Sequence, residues 1–368
     1  MCGVARAGRV EVKPDGSRAT RNRARVLIVD DSATIRSILR AVISADPRLE
    51  VAGEARDAYE ARGLIKALDL DLVTLDIEMP RMNGLAFLER LMRLRPMPVV
   101  VISTRTRDNS ADAIRALSLG AVDCVDVSRL QVEFGVRRRL VETLVAAGGA
   151  TVQASGTVSE QPGAGGGGAA PAFDWNGAAV FIGSSTGGVD ALERVLAPFP
   201  ADCPPTLIAQ HMPAAFLQSF ARRLDATLAP AVAIAGDRDP LRAGRIHLAG
   251  GGGHHLTVVS GPPSTRLLPA GPGDIHVPTI DLLLHSAAAL RGRAVGVILT
   301  GMGRDGAEGL LAMRQAGAQT LAQSGETCVI DGMPRAARDL GAVTRNVPLD
   351  RLGAEILSLC RSERVLPT

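Results

Sequence analysis

The chain has few lysines and few aromatic residues. Lys13 and Lys66 are the only lysines among 368 residues, aromatic side chains make up 2% of the sequence, and the formal net charge is +3. Nucleic-acid-binding surfaces combine clustered basic residues with stacking aromatics, and no such cluster occurs here. We therefore expect no nucleic-acid partner.

Cysteines are also few, and long apolar runs are absent. The five cysteines are scattered, without a Cys-x-x-Cys pair, at positions Cys2, Cys124, Cys203, Cys328 and Cys360. This usage is typical of reduced thiols in the cytosol. No run reaches the ~18 apolar residues of a membrane-spanning helix, and residues 1–25 lack the apolar centre of a signal peptide. These absences predict a cytoplasmic protein without direct membrane insertion, and a monomer is the expected state.

The composition divides the chain into two domains, for which its length is sufficient. Residues 1–24 lack hydrophobic periodicity and are predicted to be a disordered arm. Residues 147–172 are mainly Gly, Ala, Ser, Thr and Pro, a composition typical of a flexible linker. The first domain is therefore predicted at 25–146 and the second at 173–368.

Apolar strands alternate with amphipathic helices in the first domain. Five strands are predicted, at 25–29, 49–52, 72–76, 98–102 and 124–127, each followed by a helical pattern. Such alternation predicts an α/β fold with a doubly wound parallel sheet, whose ligands bind at the carboxyl ends of the strands.

Three acidic residues fall at such strand ends: Asp30, Asp31 and Asp76. Converging carboxylates repel one another unless a hard divalent cation such as Mg2+ lies among them. A metal beside Asp76 would also screen the approach of a phosphoryl anion, and aspartyl phosphate is a known covalent intermediate. Each acid taken singly also fits a helix cap.

The first domain resembles the receiver domain of two-component response regulators. The resemblance rests on Val29-Asp-Asp-Ser32, on the segment from Leu75 to Gly84, on Val101-Ile-Ser103 and on Leu119-Gly-Ala-Val-Asp123. It implies that Asp76 accepts phosphate from a histidine kinase and that Asp30, Asp31 and Asp76 hold Mg2+. It also implies that Glu78 offers its backbone carbonyl to the metal and that Ser103 is the switch hydroxyl.

The sequence departs from the receiver pattern at one position. Receivers carry a Lys-Pro pair where this chain has Val127-Ser128, and no lysine follows Lys66. Either Arg129 replaces the lysine or the switch responds weakly. We expect Asp76 to accept phosphate with weaker coupling to output, because one charge-assisted contact to the phosphoryl oxygens is missing.

A strand, a tight turn and a helix open the second domain. The turn Gly183-Ser184-Ser185-Thr186-Gly187 fits the Gly-x-Ser-x-Gly nucleophile elbow, which makes Ser185 a candidate nucleophile. A helix N-cap or a phosphate-binding turn would explain the same residues.

Two later strands of this domain end near His211 and Asp305. His211 alone would fit a structural histidine, and Asp305 with Glu308 resembles a capping box. Because the carboxyl ends of parallel strands share one edge of a sheet, Ser185, His211 and Asp305 could meet as nucleophile, base and orienting carboxylate.

The segment 232–259 is predicted to form short antiparallel strands, with a hairpin at the sheet edge. His247, His254 and His255 lie in this segment without a recognisable metal-ligand spacing. We interpret them as surface or substrate-contacting residues.

The whole motif order resembles the chemotaxis-receptor methylesterases of the CheB type. The matching motifs are Ile182-Gly-Ser-Ser-Thr-Gly-Gly188, Gln210-His-Met-Pro213, the segment from Leu299 to Ala307, and Gly332-Met-Pro-Arg335. The resemblance implies a phosphorylation-regulated protein-glutamate methylesterase and glutamine deamidase that acts on methyl-accepting chemotaxis receptors.

The same resemblance implies a histidine kinase as phosphodonor, no cofactor for the ester hydrolysis, and an oxyanion site near Met302. It also implies a receiver that packs over the Ser185 edge. Two alternatives stay open at the sequence level: a binding module that docks on receptors without turnover, and a nucleotide-binding Rossmann domain.

Overall fold

The structure is a computed structural model that describes residues 23–79, 83–103, 110–127, 130, 134–150 and 172–362. Residues 1–22 of the predicted arm and 151–171 of the predicted linker lie outside these ranges, as do Ser128 and Arg129. Within the described ranges no helix is both long enough and apolar enough to cross a membrane.

The first domain is a five-stranded parallel sheet flanked by helices, as predicted, with strand order β2-β1-β3-β4-β5. Its elements are β1 (Ala24–Val29), α1 (Ala33–Ser44), β2 (Leu49–Ala55), α2 (Ala58–Ala67), β3 (Leu72–Asp76), α3 (Gly84–Leu94), β4 (Val99–Ser103), α4 (Ser110–Ser118), β5 (Asp123–Asp126) and α5 (Phe134–Gly148).

Sequence patterns explain why these elements form where they do. The central strands β3 and β4 are buried along their whole length, as expected for parallel strands covered by helices on both faces. The hydroxyl of Ser32 caps α1 by accepting from the amide of Ile35. Helix α5 ends at Gly148, so it extends two residues into the predicted linker.

The second domain contains a seven-stranded parallel sheet of order β14-β13-β12-β6-β7-β9-β8, and a separate two-stranded antiparallel sheet, β10-β11. Its elements are β6 (Ala179–Ser184), α6 (Gly188–Leu196), β7 (Thr206–Gln210), α7 (Ala214–Thr227), β8 (Ala231–Ile234), β9 (Arg245–Leu248), β10 (His254–Ser260), β11 (Pro263–Pro269), α8 (Ile280–Ala287), β12 (Ala294–Ile298), α9 (Ala307–Gln315), β13 (Gln319–Gln323), α10 (Met333–Asp339), β14 (Arg345–Val347) and α11 (Leu349–Leu359).

The prediction for segment 232–259 was wrong in part. Strands β8 and β9 pair in parallel within the large sheet, and the antiparallel hairpin is β10-β11. The loop that joins β8 to β9 crosses over against β11, where the amides of Arg238 and Leu241 donate to the carbonyls of Thr265 and Pro263. This support lets a short loop without a helix connect two parallel strands.

The three strands predicted to carry Ser185, His211 and Asp305 are neighbours in the sheet. Strand β6 pairs in parallel with β7 on one side and with β12 on the other. Their carboxyl ends therefore lie at the same edge, which is called the β12-β6-β7 edge below.

Candidate active site

Ser185 follows the last residue of β6 and is half-buried. Its amide donates to the carbonyl of Thr300 at 3.1 Å, which ties the turn to the end of β12. A Cβ on Gly301 would lie 2.7 Å from the Cβ of Ser185, so only glycine allows this close approach. Ser184 is fully buried and donates to Gln210, which leaves Ser185 as the hydroxyl on the open side of the turn.

His211 and Asp305 are in direct contact. The Nε2 atom of His211 lies 2.7 Å from Oδ2 of Asp305, and both side chains are about nine-tenths buried, with 8% and 10% exposed. Burial alone would raise the pKa of Asp305. The hydrogen bond and charge of His211, with two backbone amides, outweigh burial and lower that pKa to about 2.

The ionised carboxylate fixes the tautomer of His211. A carboxylate only accepts hydrogen bonds, so Nε2 carries the proton and donates to Asp305. Nδ1 is then the nitrogen with a free lone pair, which is the property required of a general base.

Asp305 also caps a helix, but not the one predicted. Its two carboxylate oxygens accept from the amides of Ile280 and Asp281, each at 2.9 Å, at the start of α8. The N-cap of α9 is Gly306, with φ of 92°, and Glu308 pairs instead with Arg304. The predicted capping box is therefore wrong: the carboxylate serves α8 because the sheet edge brings that helix to it.

Gln210 holds the ends of β6 and β7 together. Its side-chain amide donates to the backbone carbonyl of Ser185 at 2.9 Å and to that of His211 at 3.2 Å. The amide of His211 donates to the carbonyl of Ser184 at 3.0 Å. The candidate nucleophile and base are thus fixed through their backbones, while no Ser185–His211 side-chain hydrogen bond is found among the described residues.

A third side chain, which the sequence did not single out, lies beside this pair. The ring of His276 stacks on that of His211, with centroids 4.3 Å apart and planes 10° apart. His276 lies in the loop between β11 and α8, which no local pattern links to β7. The only sequence signal was the presence of another histidine.

Met302 is half-buried and follows Gly301 in the loop after β12. The amide of Gly301 is already bonded to the carbonyl of Ile330 at 3.0 Å. Because that donor is engaged, Met302 carries the next amide along this loop that could face an oxyanion beside Ser185.

Both domains of the chain are similar to known proteins. Residues 180–356 match the CheB methylesterase family, and residues 26–126 match the response regulator receiver domain. A protein of Caulobacter vibrioides named "Protein-glutamate methylesterase/protein-glutamine glutaminase 1" is 50% identical over 350 residues, covering 92% of this chain and 99% of that protein. A Rhizobium etli protein named as a protein-glutamate methylesterase/protein-glutamine glutaminase is also 50% identical, covering 93% of this chain and 98% of its own length.

The chain belongs to the CheB methylesterase family. It is therefore an ester hydrolase that carries a receiver domain. Among solved structures, the CheB methylesterase catalytic domain of Thermotoga maritima shares 32% identity with a TM-score of 0.47, covering 50% of this chain and 98% of that one. The response regulator domain of Thermotoga maritima CheB shares 35% identity with a TM-score of 0.32, covering 35% and 98%.

The acidic residues of this CheB receiver converge as predicted. Asp30, Asp31 and Asp76 each offer a carboxylate oxygen within 4.8 Å of the others. Oδ2 of Asp30 is buried without a hydrogen-bond partner. Burial and the charges of the other two acids raise the pKa of Asp30 to about 7 although the Ser32 amide opposes the rise, and burial also raises the pKa of Asp76. An orphaned oxygen among three hard oxygen donors fits a divalent cation.

The other predicted receiver residues adjoin this acidic cluster. Glu78 lies two residues after Asp76, and its amide donates to that carboxylate at 2.9 Å. Ser103 is the last residue of β4 and is buried. It follows Ile102, which pairs with Asp76 in the register of β3 and β4. Val127 is buried, so the position where receivers carry lysine presents an apolar side chain.

The receiver packs against the turn that carries Ser185, as expected. The hydroxyl of Thr186 donates to Asp123 at 2.8 Å, and the amide of Gly187 donates to the carbonyl of Val122 at 3.0 Å. Both receiver residues stand at the start of β5. The two residues that follow the candidate nucleophile are therefore bonded to the receiver.

Helix α4 extends this domain contact across α6 and α7. The hydroxyl of Ser118 donates to Glu193 at 2.9 Å, and Arg223 pairs with the same carboxylate. Ser110 and Ser219 form a buried hydroxyl pair between α4 and α7. The interface thus joins α4, which is the helix after Ser103 in the receiver, to α6, which is the helix after Ser185.

Proposed function

We propose that this chain is a phosphorylation-regulated protein-glutamate methylesterase and protein-glutamine glutaminase that acts on methyl-accepting chemotaxis receptors. The observation that carries the proposal is the 2.7 Å contact of His211 with Asp305 at the edge that also holds Ser185. The names of relatives 50% identical over nearly the whole chain supply the substrate class.

In the proposed reaction, Nδ1 of His211 takes the proton of Ser185 Oγ as this oxygen attacks the side-chain ester carbon of a methylated glutamate. Asp305 holds Nε2–H and stabilises the imidazolium that forms. The amide of Met302 donates to the developing oxyanion, a contact of the kind that contributes roughly 3 kcal/mol to transition-state stabilisation.

The tetrahedral intermediate then collapses and expels methoxide, which takes the proton from His211 and leaves as methanol. Water, deprotonated by His211, attacks the acyl-serine and releases the glutamate and Ser185. A glutamine side chain would follow the same steps with ammonia as the leaving group.

Regulation is proposed to act through the receiver. A histidine kinase is the phosphodonor and Asp76 the acceptor; Asp30, Asp31, Asp76 and the backbone carbonyl of Glu78 would hold Mg2+, whose charge offsets that of the incoming phosphoryl group. Ser103 would close on the phosphoryl oxygens and shift the β5 and α4 surfaces that contact the second domain.

The change in docking free energy that activation requires is small. If the docked receiver leaves about 1% of molecules open, a change of about 2.7 kcal/mol in docking free energy relieves most of the inhibition.

The test measures methanol release from a methylated receptor with and without a small-molecule phosphodonor. We expect release that rises with the phosphodonor, falls to background in Ser185→Ala, and loses its stimulation in Asp76→Asn. A Ser185→Ala protein that retained full release would reject the acyl-serine mechanism and favour a module that binds receptors without turnover.

A further inference from the structure

His276 is the one imidazole in the described part of the chain that stacks on the proposed base. The 4.3 Å centroid separation and 10° interplanar angle describe a nearly parallel pair. This contact covers one face of the His211 ring, while Asp305 binds its Nε2 edge. Together the two contacts restrict both the tilt and the rotation of the ring.

The loop that carries His276 is anchored at two points. Nε2 of His255, a buried residue of β10, lies 2.8 Å from Oδ2 of Asp274, and Nδ1 accepts from the amide of Thr279 at 3.1 Å. The hydroxyl of Thr279 donates to the carbonyl of His276 at 2.8 Å. The stack therefore rests on a loop held on both sides of His276.

His276 is surrounded by charged groups from three elements. His211 follows β7, Asp305 precedes α9, and Arg139 lies on α5 of the receiver. Desolvation by neighbouring protein atoms and then the charge of His211 lower the pKa of His276, Arg139 lowers it further, and Asp305 opposes them. These surroundings together lower the pKa of His276 and so favour the uncharged form of its ring.

We propose that His276 is a positioning residue for the esterase reaction, which fixes the ring plane of His211 by stacking on it while Asp305 holds Nε2. The inference rests on the proposed function, because it assigns His211 the role of base. When His211 takes the serine proton, the new cation lies against the stacked ring of His276. A charged neighbour at the same place would oppose that cation.

Three variants of the full-length protein separate the ring from its charge. His276→Ala removes the ring, His276→Phe keeps a neutral ring, and His276→Arg keeps a planar stacking group with a permanent charge. The control is His285→Ala, which removes an exposed histidine in the last turn of α8. Each protein is checked for folding by thermal unfolding.

We expect kcat for methanol release in His276→Ala to fall about three- to tenfold, the range that an aromatic pair contributes, with KM changed less than about twofold. His276→Phe should recover most of kcat. His276→Arg should be slower than His276→Ala, and the acid limb of its pH–rate profile should move to lower pH, because a fixed positive charge disfavours a proton on His211. His285→Ala should match the wild type.

A second readout does not depend on activity. The Nε2–H proton of His211, bonded to Asp305, is followed by NMR, and we expect it to stay protected from exchange in the wild type and in His276→Phe but to exchange faster in His276→Ala. If the wild type released no methanol but the proteins showed the expected exchange of the Nε2–H proton, the proposed function would be rejected. The positioning of the His211 ring by His276 would still be supported.

The positioning role is overturned if His276→Ala keeps wild-type kcat and exchange. It is also overturned if His276→Phe is no better than His276→Ala, or if the loss appears only in KM.

Discussion

Asp305→Asn tests the double role of the carboxylate that binds His211 and caps α8. An asparagine can accept at only one of the two amides of Ile280 and Asp281, and where its NH2 group takes the Oδ2 position it cannot accept Nε2–H of His211. The imidazole would be held in the wrong tautomer. We expect kcat to fall on the order of 10^3- to 10^4-fold while receptor binding is retained.

The same substitution should lower stability by an amount set by the ionisation of Asp305. Its pKa falls from 3.8 to about 2 on folding, and a shift of about two units corresponds to roughly 2.5 kcal/mol. Because the folded-state pKa is depressed, this contribution is fully present above the unfolded value and is lost as pH falls through the folded one. The stability difference between wild type and variant should therefore be about 2 kcal/mol at pH 7 and shrink to roughly half near pH 3.

Methanol release gives the kinetic part, and urea unfolding at several pH values gives the stability part. The control is Asp350→Asn, which alters an exposed acid in the first turn of α11 and should change neither quantity by much. An Asp305→Asn protein with more than a tenth of wild-type kcat, or with a pH-independent stability loss, would refute this reasoning.

Three further substitutions test other contacts. Asp123→Ala removes the acceptor of the Thr186 hydroxyl, so methanol release without phosphodonor should rise several-fold; unchanged basal release would contradict inhibitory docking. Gly301→Ala forces its Cβ against the Cβ of Ser185 and the buried sulfur of Met333, so it should lower kcat at least tenfold and lower the urea midpoint as well; wild-type kcat would show that the close approach is not needed. Val127→Lys should increase the stimulation by phosphodonor relative to wild type, and equal stimulation in both proteins would reject the weak-coupling hypothesis.

Sequence patterns were sufficient for the parts of the fold that depend on local periodicity. The apolar strands that end at Asp76, Ser184 and Gln210 stand out because parallel strands covered on both faces are continuous hydrophobic runs. Because these strands run in the same direction, their carboxyl ends were expected at one edge of the sheet, which is also where ligands bind in such folds. The contact of His211 with Asp305 was predicted on that basis.

Contacts between distant segments could not be predicted in the same way. Asp305 taken alone resembles a cap of its own helix, and its contacts with the amides of Ile280 and Asp281 could not be predicted because these residues lie 25 and 24 positions away in sequence. His276 gave no signal, since its loop has no periodicity and its partner lies on another strand. The parallel pairing of β8 and β9 depends on hydrogen bonds to β11, which no local pattern reveals.

Thr186 and Gly187 are hydrogen-bonded to the receiver at Asp123 and Val122, so the local concentration of receptors would affect how firmly the receiver docks. Under the proposed function, a receptor segment whose glutamate reaches Ser185 approaches the turn that Thr186 and Gly187 attach to the receiver, so receptor and receiver would compete for this turn. Linkage then requires that each weakens the other by an equal factor. Dense receptor arrays would by themselves displace some of the regulatory domain, and the degree of activation at a given phosphate level would depend on how many receptors surround the enzyme.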